Sequence, residues 1–235
     1  MRFLTLMLLG LAVAGCDSTQ EEKPKAPVTP APAPSIEPPK DILKVLLDPS
    51  LPDWKDKAPD SFKAKFATTQ GEFTIRVERA WSPLGADRFF VLVRNGYFDE
   101  TRFFRVVSGF MAQFGIHGNP DVNRVWKEAT IKDDPVLKSN RRGWVTYAMR
   151  GRHTRTTQLF INYADQNAGL DAQGFSPFGQ VVEGMDAVDR LYSGYGDGPP
   201  RGGGPDQMRV FTEGNAYLNA EYKQLDYIKT ARIVL

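Results

Sequence analysis

Thirty Lys and Arg against 28 Asp and Glu in 235 residues leave a net charge of +2, too near neutral for a protein built to bind nucleic-acid phosphates. With 41% hydrophobic residues, the chain is long enough for one globular domain with a substantial core. A single cysteine excludes an intrachain disulfide, and two histidines, His117 and His153, leave too few ligands for a protein-built metal site.

Residues 1–15 open with Met1-Arg2 and an apolar run, Phe3 to Ala14, which reads as an export signal too short to span a bilayer. Val13-Ala14-Gly15-Cys16 resembles the lipobox of bacterial lipoprotein signals, in which cleavage leaves the cysteine as an acylated N-terminus. An ordinary signal peptide that happens to contain a cysteine is the alternative. Each buried methylene contributes about 0.8 kcal/mol, so two or more acyl chains on Cys16 would anchor the protein stably. Asp17 resembles the inner-membrane retention signal of enteric bacteria. The expectation is an exported protein, lipid-anchored on the periplasmic side.

Seven of the seventeen prolines fall between Asp17 and Lys40, which marks a solvated polyproline II tether. Residues 41–57 carry Ile42, Leu43, Val45, Leu46 and Leu47, enough for one or two helical turns packed on a domain. The tether with this segment spans 16–57, and the folded domain is expected over 58–235.

Alternation predicts strands at Lys63–Thr69 and Glu72–Glu78 around a Gln70-Gly71 hairpin. Ser82 as N-cap, Pro83 at the first helical position and Gly96 at the end bracket an amphipathic helix with Leu84, Ala86, Phe89, Leu92 and Val93 at helical spacing. Short strands follow at 102–107, 110–115, 144–149, 159–162 and 178–182, then a helix at 185–192 and a terminal strand at 231–235. Many short strands with two substantial helices predict a closed antiparallel sheet, barrel or sandwich. Gly194–Pro205 has neither the strand before it nor the helix after it that a dinucleotide fingerprint needs, and is a loop. Residues 213–218 and 225–228 form an extra element of unread role. His117 and His153 are expected in loops or at the surface, and Trp54, Trp81, Trp126 and Trp144 as packing residues.

Residues 103–113, Phe-Phe-Arg-Val-Val-Ser-Gly-Phe-Met-Ala-Gln, are the most telling stretch. Alternation puts Phe103, Arg105 and Val107 on one face, with Phe104 and Val106 on the other. No Asp or Glu occurs between Thr101 and Pro120, so the partner of Arg105 is expected from outside the chain. A face with a guanidinium, an amide and apolar side chains lacks the groups for acyl transfer, glycoside hydrolysis or phosphoryl transfer. Binding remains, or a reaction that needs only desolvation and one hydrogen-bond donor.

This run resembles the signature of the cyclophilins, the peptidyl-prolyl cis-trans isomerases, with Phe104 in the place of the family's His. Gly96-Tyr97-Phe98-Asp99, Thr157-Gln158-Leu159-Phe160-Ile161, Leu170-Asp171, Phe178-Gly179-Gln180-Val181 and Glu183-Gly184-Met185-Asp186 are similar to further family motifs in the same order. The likeness covers roughly residues 63–192. It implies a mainly β fold, a closed eight-stranded antiparallel barrel capped by two α-helices, and rotation about X-Pro bonds in exported proteins. It implies Arg105 as the catalytic arginine, assisted by Phe110 and by Gln113, which holds the substrate backbone. Phe110, Met111, Phe160 and Leu170 would line the pocket for the proline ring, with Ala148, Met149, Gln158 and Phe175 along the groove. No cofactor is implied. The partners would be proline-containing peptides or unfolded exported proteins, with a monomeric chain and no nucleic acid.

Gly169 stands where many members carry a Trp beside the pocket, Met149 replaces an Asn, and Phe114 replaces a Gly. Five arginines and no acid lie in residues 141–155, and Arg150 and Arg152 are expected to favour acidic peptides. A noncatalytic peptide-binding or scaffold module on the same fold is the competing function.

Overall fold

The computed structural model describes residues 35–234. Cys16, the signal segment and the tether up to residue 34 lie outside the described residues. Nine strands form one antiparallel sheet: β1 (Ser35–Ile36), β2 (Ser61–Thr68), β3 (Gly71–Glu78), β4 (Arg105–Val107), β5 (Met111–Phe114), β6 (Trp144–Tyr147), β7 (Leu159–Asn162), β8 (Pro177–Glu183) and β9 (Ile228–Val234). Their order is β1-β9-β2-β3-β8-β6-β7-β5-β4. The two-residue β1 is an addition at one edge, so the body is the expected eight strands.

The sheet curls until the segment before β4 meets the segment before β9. The Phe103 N–H donates to the Asp226 carbonyl at 3.0 Å, and Ile228 N–H to the Thr101 carbonyl at 2.9 Å. That seam consists of an isolated bridge rather than a ladder, which is less than the continuous closure expected from sequence. It still satisfies backbone groups that an open edge would leave exposed.

Alternation in β2 sends Phe62, Ala64 and Phe66 inward, and Phe66 stacks on Phe73 of β3 at 4.9 Å. Helix α2 (Pro83–Arg94) buries Ala86, Phe89, Leu92 and Val93 against this layer, as its periodicity predicts, whereas Leu84 is left exposed. The N-terminus of α2 is capped from a distance. Ser82 occupies the N-cap position, but its hydroxyl donates to Asp134 at 2.6 Å, and Asp134 accepts the Leu84 and Gly85 N–H groups. Desolvation works to raise the Asp134 carboxyl. Hydrogen bonds from Ser82, the two helix N–H groups and Arg155 outweigh it and hold the group below its ordinary value.

Besides α2 and the expected second cap, α4 (Met185–Asp189), the chain forms α1 (Ile42–Leu46), α3 (Pro120–Trp126) and α5 (Gln207–Glu221). Residues 35–57 dock on the sheet: β1 pairs with β9, Leu46 is buried, and Trp54 meets Trp126 edge-on at 4.6 Å. The packed body therefore begins upstream of the start near Ala58 read from composition. His117 lies in the loop after β5, as expected, and is half-buried there: burial pushes its imidazole down to about 4, while its Nδ1 accepts the Asn119 N–H.

The stretch after residue 194 packs through its own apolar cluster of Phe104, Ile116, Val210, Tyr217, Leu218 and Leu225. Phe103 joins the main core with Val106, so the alternation expected from 103 to 107 fails at its start. The strand begins only at Arg105, and the two phenylalanines before it serve different cores. Helix α5 kinks at Gly214 (φ 59, ψ −142). There the helix crosses the chain at Gly118, whose carbonyl accepts the Asn215 N–H at 2.8 Å. A Cβ at residue 214 would fall 2.1 Å from that carbonyl, so only glycine fits.

Candidate active site

Strands β4 and β5 form a hairpin through Ser108-Gly109, with Gly109 at φ 71. Its register sets Arg105 opposite Gln113, and the β5–β7 register sets Gln113 opposite Phe160. Three side chains from three strands therefore reach one patch because of pairing alone. The Arg105 Nη1 donates to Gln113 Oε1 at 3.0 Å, and Gln113 Nε2 donates to Gln158 Oε1 at 2.9 Å. Phe110 lies beneath the guanidinium, its ring centre 5.8 Å from the central carbon.

All ten residues singled out from sequence line a single groove of about 1080 Å³: Arg105, Phe110, Met111, Gln113, Ala148, Met149, Gln158, Phe160, Leu170 and Phe175. Met111 and Phe160 are buried in its floor, and Phe175 meets Phe160 edge-on at 5.8 Å. Leu170 lies within a 3-10 segment, Asp165–Gln173, and Phe175 just beyond it; Asp171 in that segment accepts from Ser139 and Asn140 and so fixes the loop. At Gly169, the neighbour of Leu170, a Cβ would meet nothing within 4 Å.

The acid partner of Arg105 comes from this chain, which corrects the expectation drawn from residues 101–120. Asp197, 92 residues away, grips the guanidinium with both carboxylate oxygens, Nε to Oδ1 at 2.6 Å and Nη2 to Oδ2 at 3.1 Å. Both side chains are largely shielded, with 15% and 19% of their surface exposed, so water weakens this pair less than a surface pair. Arg105 holds the Asp197 carboxyl below the usual carboxylate range against the opposing effect of desolvation, and Arg201 and the Gly198 N–H add to it. The Gly194–Pro205 stretch is indeed a loop, but one that supplies a side chain to the site.

Residues after 200 also build a wall that sequence reasoning missed. Arg201, Gln207, Met208, Phe211 and Thr212 line the same groove as Thr154, Thr156 and Gln158. The available signal was the run of glycines. A Cβ at Gly202 would sit 2.2 Å from the Asp197 carbonyl, and one at Gly198 2.7 Å from that of Pro205, which is how tightly the loop folds on itself.

The basic stretch 141–155 divides into separate tasks. Arg142 pairs with Asp189 at 2.6 Å. Arg155 is buried against Asp134 at 3.0 Å and the Tyr147 ring. Arg150 lines the groove, and Arg152 does not.

The groove lining, among the described residues, holds no Ser, Cys or His. An apolar floor, an edge of amide side chains and one fixed guanidinium suit a polypeptide whose bond is twisted rather than cut. The fold and site thus define an antiparallel barrel with a peptide groove. Comparison with known proteins agrees with this class. Residues 63–209 match the model of the family described as cyclophilin type peptidyl-prolyl cis-trans isomerase/CLD, and the chain belongs to that family.

Relatives include peptidyl-prolyl cis-trans isomerase cyp18 of Streptomyces antibioticus, 33% identical over 57% of this chain and 85% of that protein. Peptidyl-prolyl cis-trans isomerase B of Escherichia coli is 30% identical over 54% and 81%. A solved cyclophilin-type isomerase of Cryptosporidium parvum superposes with a TM-score of 0.54 at 21% identity, covering 74% of this chain and 98% of that one. A second crystal structure of that protein, obtained in the presence of the dipeptide Ala-Pro, gives 0.52 at 20% identity over 74% and 99%. These two likenesses bear on the fold. The chain is a peptidyl-prolyl cis-trans isomerase by family.

Proposed function

We propose that Arg105, Phe110 and Gln113 carry the isomerisation, with the proline ring seated on Phe110, Met111, Phe160 and Leu170. The observation that supports this reading is the convergence of these side chains on one groove, with Arg105 and Gln113 locked together at 3.0 Å. A planar amide resists rotation by about 18–20 kcal/mol because the nitrogen lone pair is shared with the carbonyl. As the bond twists, the lone pair localises on nitrogen and becomes an acceptor. An N–H of Arg105 aimed at that nitrogen favours the twisted state over both planar ones. The apolar floor favours the less polar twisted amide in the same direction. An acceleration of about 10⁵-fold corresponds to roughly 7 kcal/mol, within reach of one charge-assisted bond plus desolvation and held geometry.

Ala148, Met149, Gln158 and Phe175 position the chain on either side of the proline. Arg150, exposed at the groove edge with no acid partner among the described residues, favours acidic residues near the proline. In this reading the enzyme acts on exported proteins as a monomer, held to the periplasmic face of a membrane through a lipid on Cys16 and a tether over 17–34. Support for that setting comes from the sequence: the Val13-Ala14-Gly15-Cys16 run and the proline-rich composition after it. Two measurements test the proposal. NMR exchange on an X-Pro peptide compares wild type with Arg105→Ala, and no acceleration by wild type or an unchanged mutant rate refutes the catalytic roles. Metabolic labelling with a palmitate analogue, lost in Cys16→Ala, tests the anchor.

A further inference from the structure

Arg105 has five N–H groups. Asp197 takes the Nε–H and one hydrogen of Nη2, and Gln113 takes one hydrogen of Nη1. One N–H on each terminal nitrogen remains for the groove. The loop that brings Asp197 here is built around that residue. The Asp197 carbonyl accepts the Gly204 N–H at 2.8 Å, its Oδ1 accepts the Gly198 N–H at 2.8 Å, and Arg201 pairs with its Oδ2 at 2.9 Å. Gly202 and Gly204 close over the same carbonyl, where a Cβ on either would lie 2.2 and 3.0 Å away. The loop thus holds Asp197 at its backbone carbonyl and at both oxygens of its carboxylate.

We infer that Asp197 is a positioning residue for the isomerase site, and that the loop 193–206 belongs to the catalytic apparatus rather than being a passive insertion. The inference rests on the role proposed for Arg105. A long, flexible arginine stem spends little time in any one orientation unless both edges of its planar head are held. Gln113 holds one terminal nitrogen, and the bidentate carboxylate fixes the plane, so the orientation of the two unused N–H groups is fixed. Loss of the carboxylate leaves Arg105 in place and still charged but free to turn. Misplacement of that kind lowers the rate of a positioned reaction by up to about 10²-fold. Substrate affinity, set by the apolar floor and the amide edge, stays the same.

The test uses the full chain and an X-Pro tetrapeptide in NMR exchange, with kcat and KM for wild type, Asp197→Ala, Arg105→Ala and the double variant. Asp197→Ala is expected to lower kcat about 10- to 100-fold with KM within twofold, and to have no further effect once Arg105 is already Ala. A merely structural acid would lower the rate by the same factor in both backgrounds, which overturns the inference. So does an unchanged kcat, and so does a rise in kcat/KM, which would make Asp197 a lock on Arg105. Asp197→Asn keeps the shape and one acceptor, so it serves where the alanine variant unfolds, with an intermediate kcat. The Nε–H resonance of Arg105 gives a readout that does not depend on turnover: slow exchange with water in wild type, lost in Asp197→Ala. If wild type shows no turnover at all, the roles proposed for Arg105 fall, while this resonance still decides whether Asp197 holds it.

Discussion

Residues 63–192 and residues 194–226 reach the same groove by different physics. In the first region, strand register places the side chains: Arg105, Gln113 and Phe160 meet because β4, β5 and β7 are paired neighbours. The second region joins no strand ladder: the Asp226 carboxylate accepts from Thr69 and Gln70, and Tyr227 makes only an isolated bridge to Arg102. It is held by an apolar cluster, a glycine crossing and one ion pair to Arg105. The barrel thus supplies the groove side chains that register aligns, and the C-terminal stretch supplies the carboxylate that holds Arg105.

The difference also explains a departure from the family pattern. Where the signature has a His, this chain has Phe104, buried to 1% exposure against Val210, Tyr217 and Leu218. An imidazole there would bring two polar nitrogens into an apolar contact with α5. Phe104 and α5 thus meet in one apolar cluster.

The comparison can be broken most severely from the barrel side. Asp134→Ala removes the cap of α2 and leaves the buried Arg155 with only the more distant Asp133, at 3.6 Å, at a cost of about 3 kcal/mol. Urea unfolding followed by tryptophan fluorescence reads the loss. The same residue sets an acid dependence. Its folded value lies below the ordinary one near 3.9, so the unfolded chain binds the proton more readily. The stability is present above about pH 4 and is lost as pH falls through the folded value. Asp134→Asn flattens that part of the pH curve.

Arg105→Ala separates chemistry from fold. A loss of about 10²–10³-fold in kcat, with an unchanged unfolding midpoint, is expected for removal of a donor aimed at the reacting atom. A midpoint that falls with the rate would instead make Arg105 part of the scaffold.

Smaller effects come from the C-terminal side. Phe104→His buries an unpartnered ring at about 1–3 kcal/mol and loosens 194–226. Gly214→Ala adds a Cβ against the Gly118 carbonyl in a backbone region open only to glycine, at a similar cost. Limited proteolysis, with new cleavage between residues 194 and 226 and a barrel that stays intact, is the expected result for both. Cleavage spread through the barrel would show that the two regions fold as one unit.

The smallest effect concerns the groove edge. Arg150→Ala lowers kcat/KM for peptides with an acid beside the proline by about twofold to fivefold, as an exposed charge contributes less than 1 kcal/mol, and leaves neutral peptides unchanged. Equal turnover of acidic and neutral series by wild type removes the preference.

Sequence by itself determined the sheet and the members of the groove. Period-two burial in β2, the Gln70-Gly71 and Ser108-Gly109 turns, and the helical face of α2 are local patterns, readable where they occur. The groove residues were legible in a different way, through the motifs that resemble the cyclophilin signature, and strand register then explains why Arg105, Gln113 and Phe160 meet. Tertiary structure decided the electrostatics. The partner of Arg105 lies 92 residues away and the cap of α2 lies 52 away, each carried by a loop with no period to read. The chain shows an acid at residue 197 and glycines around it, but the path that brings that acid to the guanidinium is set by contacts within the folded loop. A short sequence window contains the charges; only the folded loop determines which of them meet.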